Sequence, residues 1–404
     1  MATTPQNIDP QTLNALQRAQ VLAQAVEMTQ PIFSQSIDPT KQIGPVNVTP
    51  RNVGLIKGFR VIVTATIQNT DAAQDALATP FGIQNLLSLI QFDDLNNNTR
   101  IQTSGVHIAN LNTAKGRFPY ASALQQTVFN GTSPFESASA QYGANFPVLN
   151  NLTGLVHGTN KAVRMVYDVP LAYSDDDLRG AVYANVVNAT MNLALTINPT
   201  PFVSFASDDT DAVLRMGNGA VAATTSFLGN VTITVYQIYL DQLPVGQNGG
   251  KILPAMDLST IYELKQTTFK AIQAGQDFPI PFTNFRDFLS TFLIYNNSGG
   301  NDGHGIGADI NYWALQSANF TNVWKLFPLD LAQKSRDILG VDFPAGSYYS
   351  SYRRKPISTL QYGNMNLVLN AITAGAAAYL RVGWEDFAQV NTLTQAGSLA
   401  GGGA

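Results

Sequence analysis

The chain has 404 residues, a formal net charge of −4 and only 12% charged residues. Its length exceeds one ordinary core and predicts two or three domains. It contains no cysteine, which excludes disulfide scaffolds and thiolate metal sites, and it lacks the basic stripe of a nucleic-acid binder. No apolar stretch reaches the roughly 20 residues of a membrane span, and no export signal is visible, so synthesis in a cytoplasm is expected. A surface this poor in Lys and Glu suits burial against copies of itself better than life as a free monomer.

Residues 9–29 read as a helix. Asp9 suits the N-cap and Pro10 the first helical position, while Leu13, Leu16, Ala19, Ala23 and Val26 recur on one face and Pro31 is the stop. This segment is expected as an arm, packed on its own subunit or reaching a neighbour or a membrane surface. From Val46 the pattern turns to strands: Val46–Val48, Leu55–Ile67, Leu86–Phe92, Val163–Val169, Met191–Ile197 and Val231–Leu240. Within Phe59–Ile67 apolar and mixed positions alternate, as in a strand buried mainly on one face. Lys115–Lys161 is a long loop. Short helices are expected at Asp175–Tyr183 and Asp257–Leu264.

The second half repeats the style, with strands at Phe288–Tyr295, Ile357–Tyr362, Met365–Leu369 and Tyr379–Val382. There is also a local echo at constant offset: Val169-Pro170 and Met191–Leu195 match Phe343-Pro344 and Met365–Leu369. Many short strands with few helices point to sandwiches or jelly rolls, here as two related β domains in tandem. Between them, Tyr239–Gly249 is a Pro/Gly-rich connector.

Catalytic signatures are sparse. His107, His157 and His304 stand far apart, without the clustered ligands of a cupin-type metal site. Ser174–Asp177 reads as a helix cap rather than a cation site, and Asp208–Asp211 lacks the Gly and Glu of a calcium loop. The glycines of Gly299–Gly307 open no βαβ unit, so they form an exposed loop rather than a phosphate cradle. No catalytic residue, cofactor or metal is assigned.

Several segments, in order along the chain, resemble the major capsid protein of tectiviruses, tailless bacteriophages with an internal membrane. They are Val48–Phe59, Thr103–Lys115, Val169–Val186, Tyr239–Gly249, Ala308–Phe320 and Lys355–Asn364. The resemblance implies an all-β fold of two tandem eight-stranded jelly rolls with an N-terminal helical arm and short connecting helices. The expected divisions are an arm at 1–43, a first roll at 44–243, a linker at 244–256, a second roll at 257–392 and a flexible tail at 393–404. It further implies a homotrimer of pseudo-hexagonal outline that tiles an icosahedral shell over a membrane enclosing double-stranded DNA. Vertex and minor capsid proteins are the expected partners, and direct nucleic-acid binding is not expected. Leu13, Leu16, Arg18 and Val26 would face the membrane. Tyr239, Leu240, Asp241, Gln242, Leu243, Pro244, Gly246, Gln247, Asn248 and Gly249 would hold the rolls at the separation that sets the hexagonal footprint. One alternative is a carbohydrate- or receptor-binding β-sandwich spike using Trp313, Trp324 or Trp384 as stacking platforms. Another is a β-sandwich hydrolase with a carboxylate pair formed by folding.

Overall fold

The computed structural model describes residues 9–42, 44–116, 154–185, 189–204, 211–217, 226–297, 309–317, 320–339, 346–359 and 363–389. Sixteen strands among them fall into two sets of eight. The first set is β1 (Val26–Ile37), β2 (Val46–Val48), β3 (Leu55–Gln68), β4 (Leu87–Asp93), β5 (Thr99–Thr103), β6 (Asn160–Pro170), β7 (Asn192–Ile197) and β8 (Val231–Asp241). The second is β9 (Thr260–Lys270), β10 (Asp277–Pro281), β11 (Arg286–Asn296), β12 (Ile310–Ser317), β13 (Phe320–Leu326), β14 (Ser347–Ser351), β15 (Met365–Ala371) and β16 (Tyr379–Gln389). Four helices accompany them: α1 (Pro10–Gln24), α2 (Gly105–Ala114), α3 (Ala255–Ser259) and α4 (Pro328–Leu339).

Pairing within the first set runs β1-β8-β3-β6 and β2-β7-β4-β5; within the second it runs β9-β16-β11-β14 and β10-β15-β12-β13. Each label of the second set is its counterpart in the first plus eight, and every one of these pairings is antiparallel. The molecule is therefore a double jelly roll. Even the irregularities repeat. Lys57 is the extra residue of a bulge opposite Ile238 and Tyr239, and Leu289 is the extra residue opposite Asp386 and Glu385. This aligns Gly58 with Ser290, Arg60 with Phe292 and Ile238 with Glu385.

Strand β3 follows its alternation. Phe59, Val61, Val63, Ala65 and Ile67 enter the first core, while Arg60 and Thr64 are exposed. In the second roll β11 is buried almost throughout, because both of its faces are covered. Leu293 and Tyr295 enter that roll's own core. Phe292 and Ile294 instead meet Phe81 and Val106 of the first roll.

Several local expectations change. The helix of residues 9–29 stops at Gln24, and Val26 begins β1, which pairs with β8 along its length. Pro31 does not stop a helix: it lies at a bulge in an edge strand, where its missing N–H is tolerated. Asp175–Tyr183 is bends and turns followed by a two-residue strand, because Asp177 turns back onto Ser174 and Arg179. The helix expected at Asp257–Leu264 shrinks to α3, since residues from Thr260 onward join β9 against β16. Of Ile357–Tyr362, only Ile357–Ser358 is strand, and residues 360–362 lie outside the described ones. The echo divides in two. Leu193 and Leu195 face Phe92 and Ile90 just as Leu367 and Leu369 face Leu315 and Trp313, so that half marks equivalent strands. Pro170 lies opposite Gly58 and Ser351 opposite Ser290, so the proline half does not correspond, and Phe343-Pro344 lies outside the described residues.

The two rolls share a sheet. β5 pairs in parallel with β9, Ile101 opposite Leu264 and Gln102 opposite Lys265, giving one nine-stranded sheet. Helix α2 lies over this junction with Gly105–Thr113 wholly buried. Its cap is Ser104, whose hydroxyl accepts from His107 N–H and donates to Gln266 of β9 at 2.7 Å. The His107 ring stands over Gly383, where a Cβ would come within 2.7 Å of it. Just past the helix, Lys115 Nζ lies 3.1 Å from the fully buried Glu385 and donates to Tyr262 Oη at 2.8 Å. Arg353 and Tyr262 also bond to Glu385. Burial alone would raise the Glu385 pKa, but Lys115 and Arg353 prevail and hold it down at about 2.

Glu385→Ala leaves two cations buried without their carboxylate and should cost about 3–5 kcal/mol in urea unfolding at pH 7. The folded-state pKa lies below the ordinary 4.5, so the stabilisation is complete above about pH 4.5 and is lost as pH falls toward 2. Wild type should therefore lose stability across that window more steeply than Glu385→Gln. Parallel pH profiles for the two proteins would remove Glu385 from this role.

Candidate assembly surfaces

Helix α1 begins at Asp9, whose carboxylate accepts from Thr12 N–H. It docks through one face. Asn14 donates to Asp257 at 2.8 Å, and its side-chain oxygen accepts from Met256 N–H at 3.0 Å. Asn14 thus caps α3, whose own N-cap, Pro254, offers no side-chain acceptor. Arg18 reaches Asp257 at 3.2 Å, and Val21 is fully buried among Leu55, Leu178, Leu240, Leu243 and Leu258. Burial pushes the Asp257 carboxyl above its ordinary range, against the pull of Asn14 and Arg18. Of the four arm residues singled out in the sequence, Arg18 is held inward. Leu13 and Leu16 are 44% and 56% exposed, and Val26, also exposed, starts β1 opposite Asp241.

The connector is not an extended spacer. Tyr239, Leu240 and Asp241 complete β8, and Gln242 turns the chain with a φ of +51°, its N–H bonded to the Asp241 carboxylate. Leu243 is buried. From Pro244 the chain folds into a hairpin: Pro244 C=O accepts from Ile252 N–H at 2.8 Å, and Val245 bridges to Lys251. Gly246 N–H bonds to Gly250 C=O, leaving Gln247, Asn248 and Gly249 at the tip. The two ends of the loop therefore meet at its base.

A third feature was not anticipated. On the outer face of β1-β8-β3-β6 lies a cavity of about 400 Å³ lined by Glu27, Lys57, Arg60, Asp168, Asp175 and Ile238. Lys57 lies 2.6 Å from Glu27 and 3.5 Å from Asp175, and Arg60 grips Asp168 in a two-point contact at 2.7 and 3.2 Å. These residues come from separate segments brought together by strand pairing. The one local hint was Lys57, a charge inside the otherwise apolar run Leu55–Phe59.

Other candidates fare differently. His107 is buried and its pKa is lowered to about 4 by desolvation, which favours the neutral ring. His157 is exposed and bonded to Asp75. His304 and Asp208–Thr210 lie outside the described residues, as do 299–307 and the tail. Among the described residues no group of three His, Asp or Glu side chains is placed to hold a metal, and no helix is long and apolar enough to cross a membrane. Trp313 and Trp384 are buried core residues, so they offer no open stacking face, and Trp324 is half-buried against that core.

Comparisons with known proteins agree with this architecture. The family model described as P3 major capsid protein N-terminal matches residues 11–243, and that described as P3 major capsid protein C-terminal matches residues 259–401. Major capsid protein P3 of Enterobacteria phage PRD1 is 37% identical over 389 residues, covering 96% of this chain and 94% of that protein. The crystal structure of the STIV MCP, from Sulfolobus turreted icosahedral virus, superposes with a TM-score of 0.60 at 11% identity, covering 92% of this chain and 98% of that one. The PBCV-1 virus capsid superposes at 0.51 with 12% identity, covering 90% and 94%. At such low identity these structures speak to the fold alone. Carried by the sequence matches along nearly its whole length, the chain belongs to the P3 major capsid protein family, and it is a capsid-forming structural protein.

Proposed function

We propose that this capsid protein forms a homotrimer whose six jelly rolls make a pseudo-hexagonal capsomer, and that these capsomers tile an icosahedral shell over an internal membrane around double-stranded DNA. One observation carries the reading: two rolls of identical strand order stand joined through one continuous sheet, so three chains supply six similar units. The resemblance to tectivirus capsid proteins supports the membrane and the DNA. Synthesis in a bacterial cytoplasm and contacts with vertex and minor capsid proteins belong to the same proposal. No catalytic centre or cofactor enters it.

Within this scheme α1 faces the membrane. Its docking face uses Asn14, Arg18 and Val21, which leaves Leu13, Leu16, Ala19 and Ala23 turned outward. Spacing between the rolls is carried by the β5–β9 pairing and the buried Lys115–Glu385 contact, whereas the connector hairpin closes on itself at Pro244 and Ile252.

Light scattering should give a trimer, and negative-stain images should show threefold particles with a hexagonal outline; a monomer at every concentration would overturn the capsomer. Leu13→Ser with Leu16→Ser should weaken co-sedimentation with phospholipid vesicles by about tenfold or more, the scale of losing two leucine contacts with an apolar phase. Unchanged vesicle binding would take α1 off the membrane. A Gly-Ser pair inserted after Gly246 lengthens only the hairpin tip and should leave the unfolding free energy within about 0.5 kcal/mol of wild type. A large loss would return the connector to a role in holding the rolls apart.

A further inference from the structure

Near its end, strand β16 carries two consecutive acids that face opposite ways. Glu385 points toward Lys115 and the first roll, whereas Asp386 lies on the side of Val382 and Trp384, inside the second roll. In the sheet, Glu263 of β9 stands opposite Asp386 on one flank and Phe288 of β11 on the other. Glu263 and Asp386 are 7% and 3% exposed. Two carboxylates are thus buried together at the end of the core where Phe282, Phe288 and Trp384 meet.

Their cations are shared unequally. A single nitrogen of Arg286, Nη1, donates to both carboxylates, to Asp386 at 2.7 Å. Lys265 adds a second cation to Glu263 alone, at 2.8 Å. Asp386 is therefore the poorly compensated member of the pair. The charged groups facing it come from both flanking strands: Arg286 of β11, and Glu263 and Lys265 of β9. Burial and the like charge of Glu263 outweigh the two cations and push the Asp386 carboxyl up to about 6. Arg286 is itself fixed from its backbone. It opens β11 directly after Phe285, whose φ is +63°, and its N–H donates to the Thr359 hydroxyl at 2.9 Å.

We infer that Glu263, Arg286 and Asp386 form a proton-operated clasp across β9, β16 and β11, at the end of the second roll that carries α3. A proton taken up by the carboxylate pair leaves one buried negative charge on the shared Arg286 nitrogen, and the clasp closes. With both carboxylates ionised, two buried charges compete for that nitrogen and the clasp loosens. Because the Asp386 pKa is raised from 3.8 to about 6, its contribution is complete below about pH 3.8 and is lost as pH rises through 6. The contribution of Glu385 runs the other way and is lost as pH falls from 4.5 toward 2. Two neighbouring acids with opposite responses thus hold β16 most firmly near about pH 4, and neutral pH loosens it.

Urea unfolding of the full chain from pH 5 to 7.5, at one protein concentration, tests the clasp, since Glu385 contributes no slope in that range. The wild-type unfolding equilibrium constant should rise with pH by roughly tenfold beyond any rise in Asp386→Asn. Glu263→Gln removes the like charge and leaves Arg286 to Asp386, so its stability should stop falling about one pH unit sooner than wild type. Hydrogen exchange of the wild type, corrected for intrinsic rates, should place the added opening at 284–289 and 383–389 rather than in β3. Parallel pH profiles for wild type and Asp386→Asn would overturn the clasp, as would an unshifted profile in Glu263→Gln. The exchange measurement needs no variant to fold. Opening at 383–389 that keeps a constant ratio to that of β3 from pH 5 to 7.5 would overturn the clasp by itself.

Discussion

Leu264 sits opposite Ile101 and Lys265 opposite Gln102, and this short parallel pairing of β9 with β5 fuses sheets from two jelly rolls into one. Two residue pairs make a weak joint by themselves. Its strength comes from what the pairing aligns: α2 comes to lie on the outward face of the second roll, and that face becomes interior. Tyr262, Leu264, Leu289 and Phe387 thereby join the core of the first roll although they belong to strands of the second. The rolls are thus not beads on a linker. They share buried surface, and their relative placement is a packing property.

The polar content of the junction makes that placement specific. Apolar contacts tolerate sliding, but a buried carboxylate tolerates only the geometry that brings its cations to it. Glu385 is held by Lys115 from the first roll and by Arg353 and Tyr262 from the second. Gly383 adds a steric constraint, since the His107 ring occupies the space a side chain would need. Arg381 also reaches across to Asp211, closing a second ionic contact between the rolls.

The sequence was most legible where structure is local or strictly periodic. The alternation in Phe59–Ile67 and the run Val231–Leu240 became β3 and β8 because each has one face in a core. The same logic failed at residues 25–29, where helical spacing continues but non-local pairing with β8 takes the chain into β1. Helix α2 escaped notice for a related reason. It is buried on all sides and contains His107, Asn110 and Asn112, so it shows no polar stripe against which an apolar face could be read. The repeat was half legible, since Met191–Leu195 and Met365–Leu369 are structural equivalents, whereas the correspondence of β3 with β11 lies in bulge positions with no sequence signature. The cavity of Glu27, Lys57, Arg60, Asp168 and Asp175 left a trace only in Lys57, a charge within an apolar run, because its other residues meet only in the folded chain.

The two equivalent faces of the rolls differ in chemistry in a way that follows from how each is covered. The face of the second roll meets its partner as the chain folds, so it carries Phe292, Ile294 and Tyr349 with Glu385 buried among cations. The matching face of the first roll keeps Arg60 and Thr64 exposed. It replaces those residues with Arg60, Ile62 and Asp168, and sets Ile238 where Glu385 stands. Arg60 and Asp168 satisfy each other in water, and Lys57 is paired with Glu27. Such pre-paired charges add little to stability when exposed, and together with Thr64, Thr66, Thr232 and Thr234 they make this face polar where its counterpart is apolar. Tyr236 in place of Gly383 also forbids the close helix approach seen within the chain.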